Sequence, residues 1–122
     1  MTDIEQLATK LFDFARAGDR ALLSYVEQGV NVNLVNQDGQ SFLMLAAYNG
    51  HVDLVHGLLA AGADVNLLND RGQSPLAGVI FKGDDALVDV LLTAGADPQA
   101  GTPSALDTAR MFGREDLVSR LG

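Results

Sequence analysis

Apolar residues return at helical spacing in short bursts along this chain, and glycines close the bursts at regular intervals. Leu54, Val55, Leu58 and Leu59 share one helical face, which predicts a helix over 52–61 ended by Gly62. Leu87, Val88, Leu91 and Leu92 repeat the pattern ahead of Gly95. Each of these runs follows another burst. Residues 42–49 read as a helix with Ser41 as N-cap and Gly50 just past its end. Ser74-Pro75 opens the corresponding helix downstream, a cap followed by proline at the first helical position. Near the start, Ile4, Leu7, Leu11 and Ala15 form one apolar stripe, with Gln6, Lys10 and Asp13 off it. Thr2-x-x-Glu5 has the form of a capping box there. A helix over 20–28 is expected next. Asp116-Leu117-Val118 marks a short final helix, with Arg114 and Arg120 expected on its outer side.

The bursts belong to a repeat. Gly29, Gly62 and Gly95 lie 33 residues apart, as do Gly39 and Gly72, Gly50 and Gly83, Asn33 and Asn66, and Leu43 and Leu76. At the far end Leu106 and Gly113 follow Leu76 and Gly83 by 30 residues, so the last connection has lost three. Helices this short are marginal in isolation. Each pair must bury its apolar face on the next, and stacking in single file is the natural solution. The units divide as 1–35 (a divergent cap), 36–68, 69–100 and 101–122 (a shortened cap).

The segment 39–66 contains Leu45-Ala46-Ala47, Gly50-His51, Leu54-Val55, Leu58-Leu59 and Gly62-Ala63-Asp64-Val65-Asn66. This string closely resembles the ankyrin repeat family, and the likeness covers nearly the whole chain. The resemblance implies an all-α ankyrin-repeat solenoid of helix-turn-helix units with β-turn fingers. It implies a concave face, made of the first helices and the fingers, where partners dock. Fingers are expected near Asn36-x-x-Gly39 and Asn69-x-x-Gly72, where asparagine and glycine supply the turn chemistry. The deletion near Ala100-Gly101 should stunt the last one. The family's Thr-Pro-Leu-His reads here as Ser41-Phe42-Leu43-Met44 and Ser74-Pro75-Leu76-Ala77, without the histidine that ties adjacent units. Gly78 stands where leucine is usual inside a helix, which predicts a softer third unit.

On that scheme Tyr48, Phe81 and Met111 end successive first helices and form an apolar row. Arg16 lies at one end, with Asn49 and Lys82 alongside. Gln37, Asp38, Gln40, Asp70, Arg71 and Gln73 on the fingers edge the row. Aromatic residues, methionine and arginine are enriched at interfaces, so these positions are the candidate protein-binding residues. A plainer alternative tucks Phe81 and Phe112 beneath the fingers as core. The expected function is a non-enzymatic protein–protein interaction module, an adaptor or small regulator. A self-associating homodimer is the second reading and a hydrolase a distant third.

Composition narrows the classes. A formal net charge of −8, with sixteen acidic and eight basic residues, disfavours nucleic acid and mildly favours basic partners. The basic residues are scattered and form no stripe. Cysteine is absent, which excludes disulfides and thiolate metal sites and suits a cytoplasmic protein. Residues 1–14 carry Asp3, Glu5 and Asp13, so neither a secretory leader nor a membrane span is expected. His51 and His56 are five apart, too far around a helix to share a metal. Asp84-Asp85 reads as a helix start, and Asp53, Asp84, Asp85, Asp89, Glu115 and Asp116 as a solvated face complementing helix dipoles. No cofactor is implied. A monomer is expected in the absence of its partner.

Overall fold

The computed structural model describes residues 2–122; Met1, where the first unit is taken to begin, lies outside the described residues. Those residues form eight helices: α1 (Asp3–Ala17), α2 (Ala21–Glu27), α3 (Phe42–Tyr48), α4 (Val52–Ala60), α5 (Pro75–Lys82), α6 (Asp85–Thr93), α7 (Ala105–Met111) and α8 (Glu115–Leu121). Among them there is no sheet, and one isolated antiparallel bridge joins Val35 to Ser41 at the base of the first finger.

Consecutive helices pair as α1–α2, α3–α4, α5–α6 and α7–α8, and the pairs stack in chain order. First helices contact first helices along α1, α3, α5 and α7, and α2 touches α4, which touches α6. The core follows this file as one cluster from Leu11 and Phe12 to Leu117 and Leu121. Leu54, Val55 and Leu58 of α4, and Leu87, Val88 and Leu91 of α6, are fully buried. Six of the seven residues of α3 are buried, because that helix has neighbours on both sides.

The repeat extends to individual bonds. Ser41, Ser74 and Ser104 are all buried, and each accepts the backbone N–H three residues on, from Met44, Ala77 and Asp107. Asn33 Oδ1 accepts the backbone N–H of Asp64, and Asn66 Oδ1 that of Asp97, both at 2.8 Å. These asparagines link neighbouring units through side chains. His51 adds a further tie: its Nε2 donates to the carbonyl of Arg16 at 2.7 Å, joining the second unit to the first.

Two features differ from expectation. Arg114 and Arg120 do not face outward but reach back to α6. Arg114 bridges Asp85 and Asp116 at 3.0 and 3.1 Å, and Arg120 pairs with Asp89. The expected acidic face is therefore partly neutralised by arginines of the last unit. The deleted connection does more than shorten a finger. Thr102 donates its backbone N–H to the carbonyl of Gly72 at 2.9 Å, so the segment lies along the preceding finger.

Candidate functional site

The first helices and fingers enclose a groove of about 420 Å³. Met44, Leu45 and Tyr48 come from α3, Ala77, Gly78 and Phe81 from α5, and Thr108 and Met111 from α7. Gln40, Asn69, Arg71 and Gln73 of the fingers form its polar edge, and Pro103 and Phe112 close one end. Helical geometry explains the set. Tyr48 and Phe81 occupy equivalent positions 33 residues apart, and Met111 follows Phe81 by 30, as the deletion requires.

The aromatic row is not core. Phe81 is 58% exposed, Phe112 51%, Met111 71% and Tyr48 42%. Phe81 and Phe112 meet edge to face with centroids 5.6 Å apart. The alternative that tucked both beneath the fingers does not hold, because both rings are more than half exposed. The fingers pack on each other, with Asp70 donating its backbone N–H to the carbonyl of Asp38 at 3.1 Å. A smaller polar hollow of about 240 Å³ lies between them, lined by Asp38, Gln40, Asn69, Asp70, Arg71 and Gln73.

The structure gathers some of the expected residues and separates others. Gln40, Tyr48, Arg71, Gln73, Phe81 and Met111 line the groove together. Lys82 lies at its margin, with Nζ 4.8 Å from the centre of the Tyr48 ring. Asp38 and Asp70 belong to the hollow alone. Besides Lys82, three positions fall outside both linings. Arg16 turns to Asp13 at 3.2 Å. Asn49 is engaged in ending its own helix, donating Nδ2 to the Leu45 carbonyl at 2.8 Å. Gln37 is exposed on the outer part of its finger. In the other direction, Met44, Gly78 and Pro103 line the groove without having been placed there from sequence, and Phe112 joins Met111 at its end. A signal for Met44 was present, since it replaces the family histidine of a first helix. Pro103 had none, because the altered connection decides its position.

Among the described residues, no cluster of three or more histidine, aspartate or glutamate side chains is placed to hold a metal. Asp84 and Asp85 diverge: Asp84 caps α6 by accepting the Leu87 N–H, and Asp85 meets Arg114. Among the described residues, no helix is long and apolar enough to cross a membrane.

Comparison with known proteins bears on the same architecture. A family model of ankyrin repeats, in three copies, matches residues 11–102. The chain belongs to the ankyrin repeat family. A 54-residue stretch is 43% identical to an ankyrin repeat protein of Pseudomonas aeruginosa, covering 43% of this chain and 32% of that relative. The match thus spans about a third of the relative's length. Ankyrin repeats are in general protein–protein interaction modules and typically not enzymes. The groove lies on the surface formed by first helices and fingers, and the pair α7–α8 extends the ankyrin stack beyond the matched segment.

Proposed function

We propose that this chain is a non-enzymatic protein-binding module, an adaptor or small regulator, whose groove between first helices and fingers receives a partner protein. The observation that carries this reading is the exposed apolar row of Tyr48, Phe81, Met111 and Phe112, gathered in one concavity with a polar edge. Contiguous exposed apolar surface of this kind marks interaction sites. The stacked helices hold the contact residues in place before binding, which lowers the ordering cost of association. The acidic charge and the scattered cations argue for protein over nucleic acid. The cysteine-free composition suits the cytoplasm.

The test is affinity capture with the full chain and, in parallel, a Tyr48→Ala/Phe81→Ala double variant of unchanged helicity. A partner retained by the native chain and lost by the variant supports the proposal, while equal retention overturns it. Light scattering over a range of concentrations addresses the second reading. A dimer that disappears on Phe81→Arg would assign the groove to self-association instead.

A further inference from the structure

The groove edge has a polarity that follows from the fingers, and it specifies partner chemistry. In the first finger, Asn36 Oδ1 accepts the backbone N–H groups of Asp38 and Gln40, each at 3.0 Å. A backbone N–H can only donate, so this atom is the amide oxygen and Nδ2 is left to donate. It donates to Gln40 Oε1 at 3.1 Å. The orientation of Gln40 is thereby set, with its Nε2 hydrogens turned away from Asn36. The second finger repeats the chain of bonds. Asn69 Oδ1 accepts from the backbones of Arg71 and Gln73, and Asn69 Nδ2 donates to Gln73 Oε1 at 2.8 Å. Two glutamines on the groove edge therefore present donors, and among the described residues neither Nε2 is bonded within the chain.

The charges agree. Of the eight cations, Arg16, Arg110, Arg114 and Arg120 are paired with carboxylates. The other four, Lys10, Arg20, Arg71 and Lys82, have no carboxylate partner among the described residues, and of these Arg71 lines the groove and Lys82 lies at its margin. Arg71 is the single charged side chain lining it; although the chain carries sixteen acids, no carboxylate lines the groove. Asp38 and Asp70 line the adjoining hollow between the fingers, which shares Gln40, Asn69, Arg71 and Gln73 with the groove. The groove thus joins an apolar floor to an edge of hydrogen-bond donors and positive charge.

From this complementarity, and resting on the reading of the groove as a docking surface, we propose that its occupant is an acidic peptide segment of the partner. Bulky apolar side chains of the segment sit against Met44, Phe81 and Met111. A flanking aspartate or glutamate meets Arg71 and the amide of Gln40 or Gln73. Asp38 and Asp70 share the hollow with Arg71 and oppose an acid there, so the segment's carboxylate meets Arg71 from the groove side, where no carboxylate lines the wall. The acids farther off are screened beyond about 8 Å at physiological salt.

The experiment is selection of a displayed random 12-residue peptide library on the immobilised full chain, followed by affinity measurement on synthetic peptides. The expected binders carry aspartate or glutamate beside leucine or an aromatic residue, and lose affinity with Tyr48→Ala/Phe81→Ala. Replacing their acids by asparagine or glutamine should weaken binding about five- to tenfold, as should Arg71→Gln/Lys82→Gln on the protein. The two changes together should cost no more than either alone. Binders that need Tyr48 and Phe81 but are basic or neutral would overturn the acidic-segment proposal and leave the docking surface standing. Binders indifferent to Tyr48 and Phe81, or no binders at all, would overturn both. Concentration-dependent dimerisation blocking selection would replace the peptide by a second copy of the chain.

Discussion

Gly78 sits mid-helix in α5, and a methyl group added there would lie 3.4 Å from Cδ1 of Tyr48, close to ordinary contact. Its backbone is helical, so alanine brings only its helix preference and a small contact on the tyrosine. Gly78→Ala should therefore stabilise the chain by about 0.5–1 kcal/mol, read as a higher thermal midpoint. Gly39 is the opposite case. It has φ of 73°, and a Cβ there would come within 2.7 Å of the Asp70 backbone nitrogen. Left-handed backbone alone costs a substituted residue about 1–2 kcal/mol, and here the second finger cannot move aside without breaking its bond to the first. Gly39→Ala should lower the denaturant midpoint by at least that energy. The sequence already set a turn glycine apart from a mid-helix one, and their neighbours add the size of each effect.

Between units, the Asn33–Asp64 and Asn66–Asp97 bonds recur at one 33-residue interval. They join backbone to side chain across the stack, where helix packing alone would leave the loops independent. Asn66→Ala removes the acceptor of the Asp97 amide and should destabilise by about 1 kcal/mol. Hydrogen exchange should speed up at that amide first and leave the α3 amides unchanged. An unchanged Asp97 amide would mean that water replaces the asparagine at no cost. The repeated asparagines were visible in the sequence, but the partner of each was not, since it lies 31 residues away.

Stacking in single file makes stability a sum of unit and interface contributions, so the ends respond before the middle. At the α6–α8 contact, the hydrogen bond from Arg114 holds the Asp116 carboxyl below its ordinary value of 3.8, and Asp116 and Asp85 in turn raise the guanidinium further. An acid whose pKa is lowered by folding binds more protons when unfolded. Its contribution is complete above about 3.8 and disappears as pH falls through the lower folded value. Amides of α8 should lose exchange protection below about pH 4 before those of α3 and α5. Arg114→Gln should flatten that dependence, and an identical acid profile in this variant would place the acid sensitivity elsewhere.

Read from sequence alone, the 33-residue interval, the serine caps and the apolar pairs such as Leu54-Val55 and Leu87-Val88 determined the helix pairs and their order, because local periodicity and burial by the nearest neighbour are both short-range. They also placed Tyr48, Phe81 and Met111 on equivalent turns. Tertiary packing decided the rest. It turned Arg114 to Asp85 and Arg120 to Asp89, laid the shortened connection along Gly72, brought Pro103 to the groove, and left Arg71 as its one lining charge. A long side chain has several partners within reach, and which one it meets depends on where the next unit sits; that position is a property of the stack and not of any single repeat.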